Sequence, residues 1–388
     1  MRVWVLALAL SGCGFTGGHG GPDADPGPPI DAAVVEVDAL AGPGIDAAVE
    51  DGRLEPVCVG TFLRVCVDPP QAALTLSTQR IDTGSSPMCA HYTSTPVIDA
   101  CVITGAQLVI PDHIVVTVVG RRPLILLSTR DITITGTLDA GSHADRTGPA
   151  ADTGPCATNF TSPVVNRSGG GFGGSFGGAG GNGGNSPDGV GGGAGSPVTA
   201  TALTGGCAGS SGANNVFGVS AGPGGHSGGA VLLAAAQAVL IDGVVNASGR
   251  GGTAGFGSAG TGGGGGGGGS GGMIVLDAAT VRVPGACFAN GGGGGEGGNI
   301  LTGNAGRESP EPDKVGAGGT GGNSTGGTGG ASSFGDTGAS PGSNGFSAGP
   351  LTGNGGGGGA GGGAGVIKVF ATTQEDTDDK GHVAPPPR

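Results

Sequence analysis

Ser175 stands in Gly173-Gly-Ser175-Phe-Gly177 and Ser270 in Gly268-Gly-Ser270-Gly-Gly272, so two serines meet the G-x-S-x-G spacing that sets a nucleophile on a sharp turn. Such a serine also needs a histidine base and a carboxylate to orient it. In a chain with 96 glycines among 388 residues the spacing is expected by chance. The six histidines, His19, His91, His113, His143, His226 and His382, lie far apart, with no H-x-x-x-H metal pair and no carboxylate cluster beside them. A G-x-G-x-x-G is trivially met inside Gly262 to Gly269, and none of the three lysines, Lys314, Lys368 and Lys380, follows a glycine as a Walker lysine would. Between Gly169 and Gly306 the only charged residues are Asp188, Asp242, Arg250, Asp277, Arg282 and Glu296, too sparse for the paired carboxylates of a glycosidase. No catalytic residue, cofactor or metal ligand is therefore expected. The absence of a basic patch and of an aromatic platform argues against nucleic acid as a partner.

Gly225-His226-Ser227-Gly228-Gly229 resembles the GDSGG of trypsin-like proteases, but it carries His where that motif has Asp and lacks the matching upstream residues. The cysteines are more informative. Cys58, Cys66, Cys89 and Cys101 are expected to form two disulfides in one of three pairings, and Cys156 with Cys207 to close a glycine-rich loop at its base. That usage points to an oxidising compartment. Cys287 is left over, and no pair has the C-x-x-C spacing of a zinc or redox site.

Export is also written at the N-terminus. Met1-Arg2 is a short basic region, Val3 to Leu10 an apolar core, and Leu10-Ser-Gly-Cys13 a small-residue cleavage box. The box resembles the lipobox of bacterial lipoproteins, which implies a signal peptide over 1–12 and lipidation of Cys13. Gly14 stands where the inner-membrane retention signal would have Asp, so the resemblance implies the outer membrane, periplasmic or surface facing. No other run reaches the ~18 apolar residues of a membrane span. Residues 13–56 follow as an acidic Pro/Asp/Gly tether: from Gly14 to Pro56 there are nine acidic residues and one Arg, so charge repulsion and proline extend it.

The elements that would position any chemistry come from an internal repeat. Ile132-Thr-Ile-Thr-Gly136-Thr-Leu138-Asp-Ala140, Val239-Leu-Ile-Asp-Gly243-Val-Val245-Asn-Ala247 and Val281-Arg-Val-Pro-Gly285-Ala-Cys287-Phe-Ala289 align without gaps. The period of two predicts a strand with one buried face, and Cys287 falls at the inward slot of Leu138 and Val245. A second apolar run precedes each copy, at Leu124 to Leu127, Val231 to Leu233 and Ile274 to Leu276. Each unit thus reads as two short strands, a turn and a glycine-rich excursion. Val366 to Phe370 is read as the last such strand, and Gln107 to Ile110 with Ile114 to Val119 as the first. Val231 to Ile241 alone would pass for a helix, and its register with Ile274 to Val283 tips it to strand. Strand pairs of this kind must stack to make a core, so the chain is read as all-β, a parallel β-helix or β-solenoid over 106–370 with glycine-rich insertions. An antiparallel β-sandwich is the alternative. Residues 57–105 form a cysteine-containing N-terminal subregion and 371–388 a polar tail.

The insertions carry glycine at intervals of three, as at Gly171, Gly174, Gly177, Gly180 and Gly183. That period matches polyproline II geometry, which has no internal hydrogen bonds. Two readings stand: disordered loops, or polyglycine II helices bonded side by side. Ordering glycine costs an extra ~0.5–1 kcal/mol per residue relative to alanine, so the second requires dense mutual bonding.

The block from Cys101 to His143, with the glycine-flanked stretch from Gly266 through Met273 and Val283 to Gly298, resembles the glycine-rich predicted lipoproteins of myxobacteria-type bacteria, loosely labelled PE-PGRS-like. The resemblance implies localisation and architecture only; the family has no established activity, and the PE domain is absent here. The function expected is that of a non-enzymatic, lipid-anchored envelope protein, structural or adhesive, with surface polysaccharide or other surface proteins as partners. A glycan- or ice-binding protein with a glycine-rich face and a degenerate β-helix carbohydrate-active enzyme are the alternatives.

Overall fold

The computed structural model describes residues 55–322, 326–334, 338–346, 354–375 and 383–387. The signal peptide over 1–12, Cys13 and the tether as far as residue 54 lie outside them. The apolar blocks become short strands, and no helix occurs among the described residues.

Three parallel sheets hold most of the strands. The first contains Cys101–Gly105, Leu124–Ser128, Ala230–Ala235, Met273–Asp277 and Val366–Phe370. The second contains Leu74–Thr75, Leu108–Ile110, Asp131–Ile134, Ala238–Ile241, Thr280–Arg282 and Thr373–Glu375. The third contains Gln79–Asp82, Val115–Val119, Thr137–Asp139, Val244–Asn246, Ala286–Phe288 and Val383–Ala384. From Cys101 onward the chain visits the first, second and third sheets in turn, so like strands of successive circuits lie side by side. Parallel pairing throughout these sheets speaks against the antiparallel sandwich.

The three copies of the repeat stack in the expected register, Ile132 beside Val239 beside Val281 and Leu138 beside Val245 beside Cys287. Each copy is, however, two strands and not one. The chain turns a corner at Gly136, Gly243 and Gly285, and each circuit therefore has three strands where the spacing suggested two. A Cβ at Gly136 would lie 2.2 Å from the Pro111 carbonyl oxygen, at Gly243 2.0 Å from that of Gly136, and at Gly285 2.2 Å from that of Gly243. Glycine is required there because the corners of successive circuits touch backbone to backbone.

Burial explains why some strands alternate and others do not. Inward residues of all three sheets, among them Leu126, Ile134, Leu138, Leu233 and Leu276, form one core column. The first sheet is buried on its other face too, where Ile125, Leu127, Leu232 and Val275 meet Val65, Phe176 and Leu203. Its strands are accordingly continuous apolar runs, as two-sided burial demands. The cover over this face includes a small antiparallel sheet of Val57–Val59, Arg64–Val67 and Thr93–Thr95, pinned by the Thr61 and Phe62 amides donating to Asp277 Oδ2 at 2.6 and 2.7 Å. Strands of the second and third sheets extend from Leu74 to Ala384, beyond 106–370 at both ends.

Disulfides join Cys58 to Cys66, Cys89 to Cys101 and Cys156 to Cys207. They indicate an oxidising, extracytoplasmic environment. Among the described residues no helix is long and apolar enough to cross a membrane.

Candidate functional site

All three insertions leave the third sheet and return to the first. They occupy 140–229, 247–272 and 289–365, after Asp139, Asn246 and Phe288. The columns Ala140, Ala247 and Ala289, fully buried, mark the common exit. From there the glycine-rich runs extend alongside one another.

The run containing Gly262 to Gly269 lies at the centre. Gly263, Gly266 and Gly269 donate their amides to the carbonyls of Phe256, Thr253 and Arg250; Gly264, Gly267 and Ser270 to Ala213, Ser210 and Cys207; Gly265, Gly268 and Gly271 to Gly357, Ala360 and Gly363. These bonds measure 2.8 to 3.0 Å. Its carbonyls accept in the same threefold rotation from Gly222 and Gly225, from Gly171 and Gly174, and from Gly292 and Gly295. Six runs from all three insertions thus surround one. A Cβ anywhere from Gly262 to Gly269 would come within 1.9 to 2.2 Å of a neighbouring carbonyl oxygen, which is why no other residue interrupts the eight. Peripheral runs need less glycine: in 205–213 only Gly206, Gly209 and Gly212 face the centre, and Cys207, Ala208, Ser210 and Ser211 stand between. Of the two readings of the insertions, the hydrogen-bonded one describes these runs.

The far end of the bundle is apolar. Val216, Phe217, Phe256, Ile300, Leu301 and Phe346 are exposed there, Phe217 at 77 %. They share one end because the Phe256 amide bonds Ser220, Gly263 bonds Phe256, Gly298 bonds Gly263, and Gly356 bonds Gly298. From that layer to Gly272, nine residues at ~3.1 Å each make a rod of about 28 Å.

The near end carries charge. Asp139 ends a third-sheet strand, and its Oδ1 accepts from Asn246 Nδ2 at 3.0 Å and Gly141 N at 3.1 Å, its Oδ2 from Arg146 Nη2 at 2.6 Å. His143 bridges Asp139 Oδ2 at 3.1 Å and Glu308 Oε2 at 2.6 Å. Burial opposes the charged imidazole, but the hydrogen bonds of Asp139 and Glu308 outweigh it and raise His143 to about 9. Burial likewise opposes ionisation of Asp139, and His143, then Arg146 and the Gly141 amide, outweigh it and hold its pKa below the ordinary value. An imidazole kept protonated between two carboxylates is an ion-pair centre and a poor general base at neutral pH.

The histidines are therefore not isolated from carboxylates, as their spacing suggested. His226 Nδ1 also lies 2.6 Å from Asp152 Oδ2. The i,i+4 spacing of Asp139 and His143 was a visible signal, whereas Glu308 and Asp152 arrive from distant segments. The motif serines are structural: Ser175 Oγ donates to the Gly195 carbonyl at 2.6 Å, Ser270 Oγ accepts from the Cys207 amide at 2.8 Å, and Ser227 Oγ accepts from the Asp152 amide at 2.8 Å. Cys287 is fully buried, and burial pushes its thiol up to about 12. Among the described residues no group of three or more His, Cys, Asp or Glu has the arrangement to hold a metal ion. No family model, curated protein or solved structure matches this chain.

Proposed function

We propose that the chain is a non-enzymatic adhesive protein of the cell envelope, in which a three-sided parallel β-solenoid carries a rigid bundle of polyglycine II helices with an apolar tip. The observation that carries this reading is the sixfold coordination of the 262–272 run. A bundle bonded in this way is a stiff strut, and it holds Phe217, Phe256 and Phe346 away from the strands. Exposed apolar side chains gathered at one end of a molecule are a recurring mark of interaction surfaces. The reading includes the N-terminus as a leash: lipidated Cys13 in the outer membrane, then the acidic tether of 13–56. The Leu10-Ser-Gly-Cys13 box and the oxidised cysteines support that placement. The burial of Ser175, Ser227 and Ser270 and their bonds to backbone groups support the non-enzymatic part.

The test is adhesion of cells displaying the chain to alkylated and hydroxylated glass. Phe217→Ser, Phe256→Ser and Phe346→Ser combined should cut retention on alkylated glass severalfold without moving the melting temperature of the purified protein. Cys13→Ala should release the chain from the membrane fraction and abolish retention. Equal retention by the triple serine variant would sink the adhesive reading.

A further inference from the structure

The outer face of the third sheet carries a polar row at one register: Arg80 beside Thr117, Thr117 beside Asp139, and Asp139 beside Asn246. Beside this row the first and second insertions close a cleft of about 480 Å³, lined by Arg80, Asp82, His143, Arg146, His226 and Arg250 among others. That volume lies in the ~300–1,000 Å³ range of small-molecule sites. The cleft is unusual for this molecule. The chain has a net charge of -13, yet three of its arginines converge here.

The arginines are not equivalent. Arg146 is spent on Asp139 at 2.6 Å and Asp145 at 3.2 Å. Arg80 and Arg250 have no ion-pair partner among the described residues, although the insertions contain acidic groups that selection could have set beside them. Arg250 is only half-buried and Arg80 is exposed, so both guanidiniums are accessible from the cleft. A guanidinium offers a planar fork of donors that matches a carboxylate. Among the described residues no Phe, Tyr or Trp lines the cleft, which disfavours a stacked base or an aryl ligand. Asp82 and Asp145 stand at its wall, where they would repel a dianion and accept hydrogen bonds from hydroxyl groups. A single negative charge on a hydroxyl-rich frame meets all of these conditions.

We propose that the cleft binds a uronate, a carboxylate-bearing sugar unit of an acidic polysaccharide, with Arg80 and Arg250 taking the carboxylate and Asp82 and Asp145 the hydroxyls. Arg146 and His143 stay with Asp139 and Glu308 and keep the wall in place. The site lies at the solenoid end of the bundle, at the opposite end from Phe217 and Phe346, and is independent of the adhesive tip.

Calorimetric titration of the full chain with a galacturonate oligomer, a neutral galactose oligomer and inorganic phosphate tests the assignment. The acidic oligomer should bind, the neutral one should not, and phosphate should bind more weakly than the acidic oligomer. Arg80→Ala and Arg250→Ala should each weaken binding about tenfold or more, as loss of a charged hydrogen-bonding partner does. Raising the salt should weaken it further. Absence of binding by the acidic oligomer, equal binding of the neutral one, tighter binding of phosphate, or unchanged affinity in both arginine variants would overturn the proposal. Melting curves identify a variant that fails to fold; Arg80, exposed on a short strand, then supplies the independent arm. The triple serine variant of the tip should bind the uronate as the parent does, so failure of either idea is read separately.

Discussion

Asp139 is the residue through which the strands and the insertions are electrically joined. Its carboxylate accepts from Asn246 of the next circuit, from Arg146 and Gly141 of the first insertion, and shares His143 with Glu308 of the third. This arrangement has a pH signature. His143, raised from 6.5 to about 9, contributes stability that is complete below about pH 6.5 and lost as pH rises through about 9. Asp139, lowered from 3.8, contributes stability that is complete above that value and lost as pH falls through its depressed folded value. Melting temperature should therefore be flat between about pH 4 and 6.5 as far as this pair decides it, and fall toward pH 9. In His143→Asn the alkaline decline should flatten; an identical decline in both proteins would remove the cluster from the argument. Cys287 offers a second check at this scale. A thiol fully buried and pushed up to about 12 should resist alkylation in the native protein and react only after denaturation, as peptide mass spectrometry will record.

Glycine in the insertions is set by how many neighbours each run has. A run needs it wherever a Cβ would meet the backbone of a neighbour, which from Gly262 to Gly269 is every position and in 205–213 only Gly205, Gly206, Gly209 and Gly212. Gly266→Ala would put a Cβ 2.0 Å from the Pro223 carbonyl oxygen, with backbone and no flexible side chain to give way. A cost of ~1–3 kcal/mol and a melting temperature several degrees lower should follow. Gly338→Ala is the control, because nothing lies within 4 Å of its Cβ and the change should stay within about 0.5 kcal/mol. Equal effects at the two positions would refute the packing account. The strands were more legible than the corners between them. Ile132, Ile134 and Leu138 all point inward, so the period of two runs unbroken through Gly136 and hides the turn. Thr373–Glu375 carries no apolar signal at all, so its place in the second sheet comes only from pairing with Thr280–Arg282. Arg250 of the cleft and Glu308, the partner of His143, arrive through insertions whose paths are set by backbone bonds, and backbone bonds leave no side-chain pattern to read.

At the scale of the whole molecule, the bundle cannot stand alone. Each ordered residue of a run costs roughly 1–2 kcal/mol of backbone entropy, and the one hydrogen bond it donates returns only about 0.5–1.5 kcal/mol net. The deficit has to be met by the strands, which bury Leu126, Leu233 and Leu276 and hold each insertion by both ends. Because the central run belongs to the second insertion while its neighbours belong to all three, its removal should disable the rest. Residues 247–272 can be replaced by the connection already used without an insertion, Gly120-Arg-Arg-Pro123, which joins Val115–Val119 to Leu124–Ser128. Hydrogen exchange should then find the amides of Ala230–Ala235 and Val366–Phe370 still protected, while those of Gly171 to Gly174 and Gly356 to Gly363 exchange quickly. In the intact chain the same glycine amides should be protected to a degree comparable with the strands, since they are bonded at 2.8 to 3.1 Å. Persistent protection of the orphaned runs would mean that they are held pairwise by their own insertions, and the six-neighbour bundle would cease to be the unit of stability.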